Sequence, residues 1–100
     1  MLLLPGRRPV PLLYARDGAS YVVAATNWGR PAHPGWSAGL LLADAAEIEV
    51  DRSIVQVAVS LLGAAEVERV WPALTSVWPA FDVYRSRSGR DIRVFSLAPR

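Results

Sequence analysis

Two apolar runs, residues 11–16 and 21–25, face each other across Asp17-Gly18 near the start of the chain. Both residues of an Asp-Gly step tolerate positive φ, so the step predicts a tight turn and a β-hairpin. A second pair of runs, residues 47–50 and 54–61, brackets Asp51-Arg52 and predicts a second hairpin. In its longer strand Val55, Val57 and Val59 share one face, while Ile54, Gln56, Ala58 and Ser60 share the other. That alternation fits a half-buried antiparallel strand rather than a parallel strand covered on both sides.

Between the hairpins, residues 26–33 read as a loop containing Asn27, Gly29 and Pro31. Pro34 then suits the first turn of a helix, where its missing N–H costs nothing. Trp36, Leu40 and Ala43 fall at i, i+4 and i+7 and give this short helix one apolar face. Gly35 and Gly39 weaken it by roughly 1 kcal/mol each relative to alanine, so tertiary packing must hold it. From Gly63 the period becomes helical again, with Val67, Val70, Trp71, Leu74, Val77 and Trp78 on one side and Glu66, Glu68 and Arg69 on the other. Pro72 lies inside this pattern and predicts a kink, or two abutting helical pieces, at Trp71-Pro72. Residues 79–85 begin another helical turn, and residues 92–97 supply a closing strand. Hairpin, helix, hairpin, helix pair and strand together predict an α+β fold: one domain over residues 1–100, a small and mostly antiparallel barrel with inserted helices.

Composition narrows the chemistry. A hydrophobic fraction of 52% suits a globular core and is too high for a disordered chain. There is no cysteine, which excludes disulfides and thiolate catalysis and removes the sulfur ligands of a metal site. His33 is the single histidine, so neither a histidine metal cluster nor a Ser-His-Asp triad is expected. It reads as a loop residue without a role in proton transfer. All eleven basic residues are arginine, and the net charge of +2 is too small for a nucleic-acid footprint. Arginine binds phosphate and carboxylate bidentately, however, and a local cluster suits an anionic cofactor. The leucine runs 2–4 and 40–42 are far too short to cross a bilayer, and no basic region precedes the first of them, so neither a transmembrane segment nor a signal peptide is expected. The chain reads as cytoplasmic.

Taken in order, PLLYARDG (11–18), YVVAATNWG (21–29), HPGW (33–36), ERVWP (68–72), VWP (77–79), FDVY (81–84) and RDIRVF (90–95) resemble the deazaflavin (F420)-dependent nitroreductase family over nearly the whole chain. The resemblance implies a split β-barrel that binds coenzyme F420 and passes a hydride from its reduced form to a nitroaromatic, a quinone or a similar small-molecule acceptor. In such a protein the cofactor carries the chemistry, while the chain binds, orients and excludes water. No side chain is therefore expected to be catalytic in its own right.

The same resemblance implies the site. Residues 5–11 stand where the family has a basic loop around the cofactor's phosphate, with Arg8 at its last arginine and Arg7 at another basic position; the loop is shorter here, and no helix precedes it in this sequence. Thr26, Asn27, Trp28 and Gly29 match the stretch that approaches the deazaflavin ring with a hydroxyl and backbone N–H groups. Gly39 stands where members usually carry asparagine. Trp78, Phe81 and Tyr84 match aromatic residues that line the acceptor pocket, and their i, i+3, i+6 spacing puts them along one helical face. Of the three, Tyr84 offers a hydroxyl to a nitro or carbonyl oxygen. Trp36 reads as a core residue. Arg85, Arg87, Arg90 and Arg93, with Asp82 and Asp91, read as a solvated face of mixed charge.

Two other readings remain open. One is a non-catalytic split barrel that binds a small hydrophobic ligand. The other is a dimeric split barrel that uses FMN, with the apolar edge at residues 2–4 covered by the partner copy of a homodimer.

Overall fold

The computed structural model describes residues 1–4 and 6–100; Pro5, the first residue of the expected phosphate loop, lies outside the described residues. Among the described residues there are six strands: β1 (Leu2–Leu3), β2 (Ala15–Asp17), β3 (Ser20–Ala24), β4 (Ala45–Val50), β5 (Ser53–Leu61) and β6 (Val94–Pro99). The helices are α1 (Gly35–Leu42), α2 (Ala64–Val77) and α3 (Ala80–Ser88), and Asn27–Gly29 form one turn of 3-10 helix. The strands make one antiparallel sheet in the order β1-β4-β5-β6-β3-β2. This is the α+β architecture expected from the sequence.

Closure of the sheet follows from its first residues. Leu2 exchanges two backbone hydrogen bonds with Val10, at 2.7 and 2.9 Å, on the free side of β1. The chain then runs from Val10 into β2, the opposite edge, so residues 10–14 draw the two edges together. Leu2 and Leu4 are buried against Tyr21, Val23, Ile48, Val57, Phe95 and Leu97 in the interior, and Leu40 of α1 completes that cluster. The expected apolar edge at residues 2–4 is therefore corrected: Leu2 is 1% exposed, because pairing with β4 and Val10 turns it into the barrel. A second cluster lies on the other face of β3 and β6, where Val22 and Val94 meet Val67, Val70, Trp71 and Leu74 of α2 and Phe81 of α3.

Both hairpins form, with local shifts. In the first, Asp17 pairs with Ser20, so the two-residue loop is Gly18-Ala19 rather than Asp17-Gly18. Gly18 has φ +58° at the first loop position, the place a type II′ turn reserves for glycine. Asp17 stays in the strand with its carboxylate held bidentately by Arg69 of α2, at 3.0 and 2.9 Å. That pairing holds the Asp17 carboxyl below its usual pKa. Residues 11–14 lie outside β2, and Pro11 has no N–H to give a ladder. In the second hairpin, Asp51 and Arg52 have φ +50° and +66°, the two left-handed positions of a type I′ turn. Aspartate tolerates that region, but arginine does not. Arg52→Gly is therefore expected to stabilise the chain by about 0.5–1 kcal/mol, read as a rise in Tm of a few degrees. A lower Tm would show that the Arg52 side chain contributes more than its backbone strain costs.

Of the kink or two abutting pieces expected at Trp71-Pro72, the two pieces do not occur: α2 runs as one helix from Ala64 to Val77 with Pro72 inside it. Proline removes the hydrogen bond to the Glu68 carbonyl, but Pro72 and Glu68 are both exposed and water can take its place. Val67, Val70, Trp71 and Leu74 hold the buried side of the helix. The chain breaks instead at Trp78, which adopts φ −146° and ψ 98° before Pro79, the extended conformation that a following proline favours. Among the described residues, no helix is long and apolar enough to cross a membrane.

Candidate functional site

A cleft of about 580 Å3 opens between the strand-linking segment, the 26–29 turn, the start of α1 and the face of α3. Its walls are largely apolar: Val10 to Leu13 on one side, Pro34 and Trp36 on another, and Trp78, Phe81 and Tyr84 opposite. Thr26, Asn27 and Trp28 form the remaining wall. The structure thus brings Thr26, Asn27 and Trp28 onto one cavity with Trp78, Phe81 and Tyr84, although some 50 residues separate them in sequence; Arg7, Arg8 and Gly29 do not line it.

The turn is the most constrained backbone in the site. Thr26 is right-handed (φ −78°), but Asn27, Trp28 and Gly29 follow with φ +49°, +60° and +78°. Asparagine and glycine accept the left-handed region; a bulky tryptophan there is an outlier, and such strain persists only where surroundings impose it. Several contacts do so. The Gly29 N–H donates to the Thr26 carbonyl (2.9 Å) and the Arg30 N–H to the Asn27 carbonyl (3.1 Å). The Asn27 side-chain amide donates to the Ala32 carbonyl at 2.9 Å. The Trp28 indole, 63% exposed at the cleft mouth, meets the Tyr84 ring edge-on at 5.8 Å.

Gly29 itself is buried and is not part of the cleft wall. A Cβ there would lie 2.9 Å from the Tyr84 Cα and 3.1 Å from its carbonyl oxygen. The close backbone approach at Gly29 is thus made to α3, which lets the turn and the aromatic face lie side by side.

On α3, Phe81 is buried and Tyr84 half-buried, while Trp78 lies exposed at the rim in the extended break between α2 and α3. The expected single helical face for 78, 81 and 84 is thus corrected, because Pro79 holds Trp78 out of helix. The Trp78 Nε1–H donates to the Tyr84 hydroxyl at 3.4 Å, which leaves the phenol its own proton to donate. Trp36 packs at 6.2 Å against Phe95, as a core residue would, and also lines the cleft. Arg7 donates to the carbonyl of Gly35, the first residue of α1, at 3.1 Å. Arg8 is exposed beside it in sequence. Gly39 lies against Leu4, with 3.1 Å from an added Cβ to the leucine Cδ1, so a larger residue there would press on the core.

The expected solvated face of mixed charge is corrected at several positions. Arg85 is paired with Glu68 and lies over the Trp71 ring at 4.5 Å. Asp82 accepts a 2.6 Å hydrogen bond from the Trp71 indole. Arg93 donates to the hydroxyl of Ser37, which is fully buried in α1, at 2.9 Å. Arg90 reaches the carbonyls of Ala25, Thr26 and Arg30 and the ring of His33. None of this shows in residue spacing. The Arg90 contacts depend on the β3–β6 register, which pairs Ala24 with Val94 and so runs residues 90–93 beside the 26–29 turn, and those of Asp82 and Arg85 on the packing of α3 against α2. Because a guanidinium only donates, the His33 Nδ1 facing it at 3.1 Å accepts, and the ring is neutral with its proton on Nε2. Partial desolvation, then the positive charges of Arg93 and Arg90, hold the His33 pKa below its ordinary value.

Residues 6–99 match the profile of the F420H(2)-dependent quinone reductase family. Among solved structures, one described as an F420-H2 dependent reductase (FDR-A) superposes with a TM-score of 0.83 at 23% identity, over 93% of this chain and 83% of its own. Another, described as a domain-swapped dimer, gives the same TM-score, identity and coverage of this chain, over 71% of its own length. At that identity the two structures show a shared fold. With nearly its whole length matched to the family profile, the chain belongs to the F420H2-dependent quinone reductases, a family of F420-dependent oxidoreductases.

Proposed function

We propose that the cleft holds coenzyme F420 against the 26–29 turn and a quinone or similar conjugated acceptor against α3. The observation that carries this reading is the convergence of Thr26, Asn27 and Trp28 with Trp78, Phe81 and Tyr84 on one apolar cavity. The residues fit the cofactor. Apolar walls suit a planar ring, and Arg7, bonded to the Gly35 carbonyl next to the cleft-lining Pro34, with exposed Arg8 beside it in sequence, offers positive charge to an anionic tail at the start of α1. When bound in its reduced form, the cofactor supplies a hydride.

The chain's own residues then have distinct tasks. Arg7 and Arg8 hold the phosphate, Thr26 to Trp28 set the plane of the ring, and Gly29 allows that turn to lie against α3. Trp78 and Phe81 pack the acceptor, and the Tyr84 hydroxyl donates to its carbonyl oxygen. The apolar walls exclude water from the transfer. A quinone that takes up the hydride and one proton leaves as the hydroquinone. The cytoplasmic location and the homodimer belong to the same reading. The neighbour described as a domain-swapped dimer supports the latter, and sedimentation of the purified chain measures it.

The test is a fluorescence titration with oxidised F420, repeated with Arg8→Ala, followed by steady-state reduction of a soluble quinone. Micromolar binding, weakened about tenfold by the substitution, is the expected result for a lost charge-assisted hydrogen bond. Tyr84→Phe should lower kcat by about tenfold to a hundredfold and leave F420 binding unchanged. A folded sample that binds no F420 overturns the reading, and binding of FMN in its place would point to the flavin alternative.

A further inference from the structure

Arg90 lies outside the cleft wall yet hydrogen-bonds the chain on both sides of the 26–29 turn. Its Nη2 donates to the carbonyls of Ala25 (3.1 Å) and Thr26 (2.9 Å), its Nε to that of Arg30 (3.2 Å), and its Nη1 to the Nδ1 of His33 (3.1 Å). These partners enter and leave the strained turn on both sides. The Ala25 N–H is also tied to the Arg93 carbonyl, at 2.8 Å, so Ala25 is held to the same strand entrance through donor and acceptor alike. The Thr26 carbonyl receives both Arg90 and the Gly29 N–H, while the residue itself lines the cleft.

We propose that Arg90 is a positioning residue for the cofactor: from behind the turn it fixes the carbonyls on either side of Asn27 and Trp28, and so aims Thr26 to Trp28 into the cleft. The inference rests on the proposed placement of F420 at that turn. Arginine is needed for a geometric reason. A planar guanidinium presents five N–H groups in a fixed fork and reaches several acceptors at once, whereas a lysine ammonium is a compact point charge whose three donors radiate from one atom. Two consecutive non-glycine residues with positive φ, one of them a tryptophan, have little intrinsic reason to stay there. Hydrogen bonds to their flanking carbonyls supply that reason. Relaxation of the turn by even about 1 Å would misplace a ring seated on it, an error able to cost a hundredfold in rate.

A purely structural Arg90, joining α3 to β6, would make a different prediction, and the test separates the two. Arg90→Gln and Arg90→Lys are compared with the wild-type chain by thermal melting, hydrogen exchange of the 26–30 amides, the His33 NMR titration, F420 titration and quinone turnover. The positioning role predicts folded variants with faster exchange confined to the turn and, in Arg90→Gln, where a positive charge beside the ring is also lost, a His33 midpoint moved up toward the ordinary histidine value. It also predicts F420 affinity or kcat lowered by about tenfold to a hundredfold, and no rescue by lysine. Wild-type exchange at the turn, or wild-type affinity and kcat in folded Arg90→Gln, overturns it. So does exchange that rises evenly along the chain in step with a lower Tm. If Arg90→Gln does not fold, Arg90→Lys carries the exchange, affinity and turnover readouts. A wild-type chain that binds no F420 sinks the proposed function, while exchange and the His33 titration still decide whether Arg90 holds the turn.

Discussion

Gly29→Ala is expected to destabilise the chain by roughly 2–5 kcal/mol and to lower its Tm by roughly 10–30 °C. Two costs add at this position. At φ +78° an L-residue is in the left-handed region, which costs about 1–2 kcal/mol. The new Cβ would also lie 2.9 and 3.1 Å from backbone atoms of Tyr84 and 3.2 Å from the Cβ of Arg87. These are not flexible side-chain ends, so α3 would have to move, and overpacking of this kind costs about 1–3 kcal/mol. Gly18→Ala isolates the first cost. It has φ +58° with no atom within 4 Å of the added Cβ, and should lose only the backbone part. Urea melts of the two variants read the difference directly. Equal losses would mean that α3 yields without strain and that the turn and the aromatic face are not rigidly joined. A Gly29→Ala loss well above that of Gly18→Ala would mean that the two walls of the cleft are placed by one buried contact.

What could be read from the sequence follows from how local each determinant is. The second hairpin was legible because its turn and its valine alternation are properties of neighbouring residues. Phe81 and Tyr84 were legible for the same reason, since α3 sets their spacing; Trp78 reaches the same cleft from the extended break before Pro79, not from one shared helical face. Pro72 misled because the local penalty is real, but the exposed side of the helix absorbs it and buried Trp71 and Leu74 outweigh it. The leucines at 2–4 misled because their burial depends on pairing with β4, more than 40 residues away. Arg90 was read as solvated because its partners are 57 to 65 residues distant and come close only through the β3–β6 register. In the site, therefore, the residues facing the cleft are carried by local motifs, and those holding them in place are carried by the tertiary fold.

That division makes a core residue behind the cleft wall the most informative one to remove. Phe95→Ala should destabilise the chain by about 3–5 kcal/mol, the usual cost of deleting a buried phenylalanine. Phe95 is 0% exposed, lies in β6 and is paired on both sides, with Val23 of β3 and Leu61 of β5. Its ring packs in the barrel interior against the Trp36 indole, which lines the cleft on its other side. A chain of 100 residues has a small core, so a void of this size is a large part of its total stability. The same void removes the support behind Trp36, and the indole can then sink inward and widen the cleft. Phe95→Leu keeps much of the volume and should lose less on both counts. The measurement is a urea melt of each variant paired with an F420 titration at a temperature where both remain folded. Affinity that falls in step with the volume removed would show that the barrel core sets the cleft's width. Unchanged affinity in folded Phe95→Ala would show that α1 holds Trp36 in place without help from the barrel, and a loss below about 1 kcal/mol would show that the barrel collapses around the missing ring.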